Sequence, residues 1–556
     1  MNGYPMQSKS YLLVISLLLF ISSRIVSQDI LESGNNGIYT FVDRMALSHS
    51  VPWNDLIKPV TRSQIRIALM ALDSQKLTLT AADNAELKFY LREYTPANLG
   101  AKETSPRLAG LQVLKKDNWG RWRLFFAYDS SASIYLDPII GENIRLINNE
   151  KLIEKNIGVN LRGSLGTRIA YLFCFNDISL YGNGVKYLQH FSSDKKYVNI
   201  GDSSNHLSKN YNDLRFGISY TFKKGNISIG QDRLSWGYGI NSQIVLSQNA
   251  PAYPYIKLQL LPFKWLRFDY MHAWLQSNII DSSRSFSFSN TTYGGKRQFY
   301  VPKFYAVHSI TYIPKNGVEI SMGESIVYDS RLNVGYLIPI SYFKSFDNTS
   351  NNQNLLAGAN GQVFAGFSLR RLIPKTQLYG QIFIDEIRLT TAMKGNNRNQ
   401  LGYQLGLKKA GLFGFARIVS GLEYTRNRPF VYANLNPAEN YTHHGQSLGD
   451  WMGNNADRVL IFTQFTPLER LYATLSMEWI RKGAAGSTDD QYLASPQPAF
   501  LFEPLFNQKS INFEMHYQVL QNLKLQFLAN WLTRSSQTNQ SNLTLTSVSL
   551  GVLMGL

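Results

Sequence analysis

The densest run of chemically capable residues is Gly230-Gln-Asp232-Arg233-Leu-Ser-Trp236-Gly237-Tyr-Gly239, followed by Asn249-Ala-Pro251. Asp232 and Arg233 bring the two halves of an ion pair, and Trp236 among glycines offers a flat ring that backbone or ligand can approach. Such a ring suits the apolar face of a sugar, with amide and charged neighbours serving its hydroxyls; the competing reading is a structural turn with an interfacial tryptophan. Charges recur elsewhere within or beside alternating segments: Glu324, Asp385 with Glu386, and Glu423, Arg426 and Arg428 in Glu423-Tyr-Thr-Arg426-Asn-Arg428-Pro429. At membrane depth a charge must face a polar lumen or pair. With Asp232, Arg233 and Trp236, these residues are therefore expected to form a polysaccharide-binding or lumen network.

Asp385 beside Glu386 invites a glycosidase reading, but neighbours on a strand point to opposite faces. Hydrolysis would need a second carboxylate, such as Glu324 or Glu423, on a facing strand; none is assigned as catalytic, and no enzyme activity is expected. His443 and His444 lack a third ligand at metal spacing, so they read as a polar surface loop. The glycines near 181–184 and 237–239 lack the strand-to-helix setting and the Lys of a phosphate cradle, and no cofactor or metal motif is present.

The elements that must carry these residues show period-two patterning. Leu471, Ala473, Leu475, Met477 and Trp479 alternate with Arg470, Tyr472, Thr474, Ser476 and Glu478; Leu523, Leu525, Phe527, Ala529 and Trp531 alternate with polar partners, lapsing once at Leu528. Stretches of roughly ten such residues fit tilted membrane strands. Periodicity alone fits a soluble antiparallel sandwich equally well, so export and composition decide. Lys9 precedes an apolar run over 11–21 and small or polar residues lead to a cleavage site after Ser27, which reads as a secretory leader rather than an anchor. The chain has 556 residues with 32 Tyr, 31 Phe and 9 Trp, enough aromatics for two interfacial belts. Its single Cys174 allows no internal disulfide and reads as a small apolar filler. The net charge of +18 is spread without a long Lys/Arg run, which argues against nucleic acid and for anionic headgroups or an acidic polymer.

Candidate strands fall at 121–128, 214–222, 226–231, 265–273, 303–312, 317–328, 376–385, 401–408, 413–424, 459–466, 471–481, 512–517, 523–531 and 543–553, consistent with an even total between fourteen and eighteen. Asn183-Gly184, Asn316-Gly317 and Lys224-Gly225 read as tight turns, while 281–297, 347–360 and 434–456 read as long polar loops. Residues 28–110 differ: Thr61 with Gln64 has capping-box spacing before Ile65, Leu69 and Leu72, and Thr80 with Asp83 opens a second helix. Such a hairpin cannot bury its apolar stripe alone, so it should dock on a larger body rather than stand as an independent domain. The expected division is thus a leader at 1–27, a helical periplasmic plug-like domain at 28–110 and an outer-membrane β-barrel at 111–556.

At Gln231-Asp-Arg-Leu-Ser-Trp-Gly-Tyr-Gly239, Asn249-Ala-Pro251, Lys303-Phe-Tyr-Ala-Val-His308, Gly323-Glu-Ser-Ile-Val-Tyr328, Asp385-Glu386, Gly402-Tyr-Gln404-Leu-Gly406 and Glu423-Tyr-Thr-Arg-Asn-Arg-Pro429 the chain resembles the Wzi-type capsule assembly family of outer-membrane proteins, in the branch common in Bacteroidetes-like bacteria. The resemblance implies an all-β barrel of eighteen antiparallel strands with a small helical bundle at its periplasmic end. It also implies a Gram-negative outer-membrane location and a lectin-like role in attaching and assembling capsular or extracellular polysaccharide. The partners expected are that polysaccharide, outer-membrane lipid and lipopolysaccharide, with a monomeric chain. The alternative is a diffusion channel or porin, which needs an open water path where a polymer anchor needs a plugged or narrow lumen.

Overall fold

The computed structural model describes residues 37–95, 111–117, 121–129, 131–190, 199–202, 207–288, 295–350, 359–387, 399–494, 496–536 and 542–555; the expected leader lies outside them. Helices α1 (Gly37–Ser48), α2 (Arg62–Asp73) and α3 (Ala81–Tyr94) come first. Eighteen long strands follow: β1 (Ala132–Ile147), β2 (Glu150–Leu165), β3 (Ile169–Tyr181), β4 (Ser208–Phe222), β5 (Gly225–Asp232), β6 (Tyr253–Phe263), β7 (Leu266–Ile280), β8 (Tyr300–Lys315) and β9 (Val318–Asp329). The remainder are β10 (Asn360–Arg370), β11 (Thr376–Ile387), β12 (Asn399–Ala410), β13 (Ile418–Asn427), β14 (Ala456–Phe465), β15 (Leu471–Gly483), β16 (Pro504–Leu520), β17 (Leu523–Ser536) and β18 (Asn542–Met554). Each pairs antiparallel with its sequence neighbour, and β18 returns to the second half of β1 through Ser547↔Ile147 to Met554↔Ile140, closing the barrel. The first half of β1 pairs instead with an accessory hairpin, Gln112–Lys116 and Trp122–Tyr128.

The alternation read from sequence is the wall's two faces. On β15 Leu475 and Trp479 are exposed while Tyr472 and Glu478 are buried, and Ile157, Ile218, Ile229 and Leu550 continue the apolar outer belt. Tight turns join strands at one end, where Gly317 sits at φ +90° between β8 and β9. The Asn183-Gly184 turn is not formed: residues Asn183–His190 make a 3₁₀ helix whose Val185 and Leu188 cover Ile147, Leu152, Ile178, Leu180 and Leu545 at the long-loop end.

At the tight-turn end sits the helical layer. Thr61 caps α2 by accepting from the Gln64 N–H at 3.3 Å, and Thr80 caps α3 from Asp83 at 3.1 Å. The capping box is half made, because the Gln64 amide donates to the Asn54 carbonyl instead of returning to Thr61. The expected hairpin is really three helices: Phe41, Val42 and Met45 of α1 complete a core with Ile65, Leu69 and Leu72 of α2 and Leu87 and Tyr90 of α3.

Charge pairing docks that layer on the barrel, with helix acids shared between arginines of the layer, Arg44 and Arg62, and arginines of the barrel. Glu93 of α3 holds Arg62 at 2.8 Å, Arg121 and Arg162 at 2.7 Å and Arg123 at 3.6 Å. Burial alone would raise the Glu93 carboxyl, but the guanidinium groups, led by Arg121, hold it well below the usual carboxylate range. A second contact joins Asp83 and Glu86 to Arg44 and Arg417, with Tyr472 of β15 donating to Glu86.

Candidate functional site

Beyond Asp232 the chain leaves the wall and turns into the lumen. Ser235–Trp236 pairs antiparallel with Ile57–Lys58, the link between α1 and α2, and the Trp236 N–H donates to Leu246 at 2.7 Å. The two flanking glycines are demanded by this path. Gly237 lies at φ +148°, donates its N–H to the Leu56 carbonyl at 2.7 Å, and a Cβ there would stand 2.6 Å from Gln381. A Cβ on Gly239 would collide with the Ser242 carbonyl and the Gln404 side chain. The segment 428–455 folds in beside it, with the Ser247 N–H donating to Leu448 at 2.6 Å. Together they build an apolar core inside the barrel from Leu56, Trp236, Tyr238, Val245, Tyr432 and Tyr441 against Tyr305, Phe364 and Phe383 of the wall.

Trp236 is therefore not a sugar platform. It is 0% exposed, edge-on to Phe364 at 6.4 Å between centroids, and its glycines serve the plug's own backbone. Glu423 is the hub that fastens the plug: it accepts from Tyr379 at 2.7 Å, from the Ile240 N–H at 2.9 Å and from Arg458 at 3.2 Å, while Arg458 also lies 3.5 Å from Asp450 of the second inward segment. Asp385 acts likewise, accepting from the Tyr432 N–H at 2.7 Å and from Gln362 at 3.2 Å. At the plug's base Arg370 binds Asp55, whose carboxyl burial would raise but Arg370 holds below the usual range.

The other expected members of a single lumen network are dispersed. Glu324 shares the parity of the lipid-facing Ile320 and Met322 and lies on the outer wall, where it accepts from the Phe343 N–H at 2.7 Å and sits 3.2 Å from His308. It is no lumenal partner for Asp385. Arg426 shares the parity of the exposed Leu422 and stacks on Phe500, 3.6 Å from its centroid. The Arg428 N–H donates to the Leu401 carbonyl at 3.0 Å, and Glu386, beyond a register shift at Ile384/Glu386, accepts from Gln400 at 3.4 Å.

Asp232 and Arg233 lie together at the rim end of β5. Asp232 accepts from the Arg233 N–H at 2.7 Å, and the Arg233 side chain reaches Asp213 of β4 at 2.9 Å. Beside them, at the long-loop rim where β6 parts from β7, a cleft of about 390 Å³ is lined by Asp213, Gln231, Arg233, Trp274, Gln276 and His443, among others. That volume falls in the usual small-ligand range of roughly 300–1,000 Å³. Where the sequence predicts a polar surface loop, His443 is buried: Nδ1 accepts from the Gln276 N–H at 3.0 Å and the ring meets Tyr253 edge-on at 5.8 Å. Burial, then His444 and Lys303, push its pKa down to about 3, so it is neutral. Trp274, half-buried in this cleft, was missed because its strand was read as ending at Ala273.

A closed eighteen-strand barrel with an apolar outer belt and a lumen filled by its own inward segments defines a plugged outer-membrane β-barrel protein. The chain belongs to the capsule assembly protein Wzi family, whose profile matches residues 202–544. Its fold is similar to that of Wzi from Escherichia coli, described as an outer membrane protein involved in group 1 capsule assembly and a carbohydrate binding β-barrel. The two share 11% identity, with 95% of this chain and 100% of that chain covered and a TM-score of 0.56. OccK5 (OpdH) of Pseudomonas aeruginosa matches at 10% identity over 76% of this chain and 97% of that one, with a TM-score of 0.41. No curated protein matches the sequence.

Proposed function

We propose that this protein holds capsular or related surface polysaccharide on the outer membrane as a lectin-like barrel, with the rim cleft as its sugar-binding site. The observation that carries the reading is the division of the barrel. Its lumen is occupied by a hydrogen-bonded plug, while the cleft at the long-loop rim combines an available aromatic face with amide and charged groups. Trp274 takes the apolar face of a sugar ring, and Gln231, Gln276 and the Asp213–Arg233 pair serve its hydroxyls. The family, and the carbohydrate binding stated for the Escherichia coli protein, support the same class of ligand. One chain closes the barrel, so we infer a monomer surrounded by lipid and lipopolysaccharide at its belt. The role is binding rather than catalysis, since Asp385 and Glu423 are both engaged in holding inward backbone.

The test is titration of the purified protein in nanodiscs with capsular polysaccharide from its own source. Trp274→Ala should weaken binding about tenfold, equivalent to ~1.4 kcal/mol, with the heat-modifiable gel mobility of a folded barrel retained. Unchanged affinity in the folded variant would remove the cleft from the binding surface.

A further inference from the structure

The outer wall of β7, β8 and β9 is covered near the long-loop end. After Asp329 the chain forms a 3₁₀ turn (Val334–Leu337) and helix α4 (Phe343–Ser350), and this flap lies on the outward-facing Tyr270, Phe304, Ala306, Ile326 and Tyr328 with Tyr336, Phe343 and Phe346. It is fastened by polar contacts. Tyr270 donates to the Tyr336 carbonyl at 2.8 Å, Tyr336 donates to Asp347 at 3.1 Å, and Glu324 receives the Phe343 N–H. Gly335 leaves no room for a Cβ against the Phe346 ring. Two polar groups that would otherwise face acyl chains, Glu324 and His308, are thereby covered, Glu324 by the Phe343 N–H and His308 by the Phe343 ring at 4.6 Å.

Beside the exposed Arg331 and Lys344, the flap's outer surface carries large apolar side chains. Val334 is 69% exposed, Ile338 50%, Ile340 84% and Tyr342 60%, on the same side of the wall as the exposed belt residues Ile310, Ile320 and Met322. A soluble loop has no reason to show four large apolar side chains to water. A surface continuous with the lipid belt does.

The rim cleft adjoins this surface. Trp274 packs against the flap's cluster and also lines the cleft. Leu214, Gln231 and Pro254 of the cleft have the parity of the lipid-facing Phe216, Ile218, Ile227 and Ile229, not that of the lumen. The cleft thus opens toward the plane of the membrane as well as toward the medium.

We propose that flap and cleft form one site for a glycan anchored by lipid in the outer leaflet, its acyl chains against Val334, Ile338 and Ile340 and its sugars against Trp274 and Gln231. The assignment rests on the glycan reading above and adds the physical form of the ligand. Lipopolysaccharide from the source's own outer membrane, embedded in nanodiscs, is compared with the polysaccharide released from it by mild acid. The lipid-linked form should bind at least about tenfold more tightly. Ile340→Asp, and independently Val334→Asp, should abolish that advantage while leaving the released chain's affinity unchanged; Trp274→Ala should weaken both forms. Gel mobility certifies folding of each variant. A fluorophore at Ile340→Cys, in a Cys174→Ala background, should be quenched by nitroxide-bearing lipid. Equal affinity for the two forms, insensitivity to both aspartates, or a label shielded from water but not quenched by lipid, each overturns the proposal and leaves glycan binding standing. Failure of both forms to bind overturns both readings.

Discussion

Glu423→Ala should release the plug without opening the barrel wall. Glu423 and Arg458 are each 1% exposed, and Glu423 accepts three hydrogen bonds, from Tyr379, the Ile240 N–H and Arg458. Its removal leaves Asp450, at 3.5 Å, as the ion-pair partner of Arg458 and strands the half-buried Ile240 amide and the buried Tyr379 hydroxyl. Breaking a buried ion pair costs about 3–5 kcal/mol and each orphaned polar group about 1–3 kcal/mol; allowing for non-additivity the sum is roughly 5–8 kcal/mol. The penalty falls on the inward segments, because the backbone ladder from Glu423 to Gly406 and Leu460 does not depend on its side chain. Hydrogen exchange at the Ile240 amide is the direct assay. Even if only about 2.8 kcal/mol of the loss reaches local opening, exchange should accelerate about a hundredfold, and conductance in planar bilayers should rise above wild type. Glu423→Gln, which keeps the acceptor oxygen but not the charge, should fall between. Wild-type exchange at Ile240 in a folded Glu423→Ala barrel would refute the claim that this carboxylate fastens the plug.

Other consequences follow from the same contacts. Trp236→Ala removes a fully buried indole and should destabilise the plug by about 3–5 kcal/mol, read as faster proteolysis within 233–252; glycan affinity lost without any such loosening would restore a direct binding role. Glu93→Gln withdraws the charge shared by four arginines and should detach the helical layer, seen as protease sensitivity across 37–95 at a cost of about 3–5 kcal/mol. Because the folded Glu93 pKa is below its unfolded value near 4.5, its stabilisation is complete above that pH and disappears only as pH falls through the lower folded value. The Glu93 share of layer protection should therefore be flat from pH 8 to 5, begin to decline below about 4.5 and be lost only at the lower folded value; loosening between pH 7 and 5 that vanishes in Glu93→Gln contradicts the latch. His443 stays neutral down to about pH 3, so glycan binding should not vary between pH 5 and 8 through this residue; a midpoint near 6.5 that vanishes in His443→Gln would show a charged ring in the site.

What could be read from sequence depended on what each face of a strand meets. On β15 and β17 one face meets lipid and the other polar lumen, so the alternation is clean and both were found. β1 to β3 were missed because apolar Ile147, Leu152 and Ile178 point inward under the 3₁₀ cover, while Glu142, Lys155 and Asp177 point outward. β6 was missed because prolines at 254 and 262 flank its alternating centre, Ile256 to Leu260, and its first inward residues, Tyr253 and Tyr255, are aromatics turned to the plug core. Helix α1 escaped notice because it lacks the capping signal that marked α2 and α3.

The site shows the same limit. The Asp232 to Gly239 motif stands out in the sequence, but its burial in the lumen depends on segments 54–60 and 428–455 far away in sequence. Glu324 was placed in the lumen because a charge in a membrane strand must avoid lipid. The fold meets that requirement differently, by laying residues 330–350 over it. The flap's apolar residues were visible in the sequence, but nothing local indicated which surface they would cover.

The most direct test of the central claim is polysaccharide retention by cells lacking this protein, comparing cell-bound with released polymer in one culture, with wild type and Trp274→Ala as complements. The account predicts normal total yield with polymer shifted into the medium in the deletion, rescue by wild type and partial rescue by the folded Trp274→Ala protein. Unchanged attachment of the polymer in the deletion strain would contradict it.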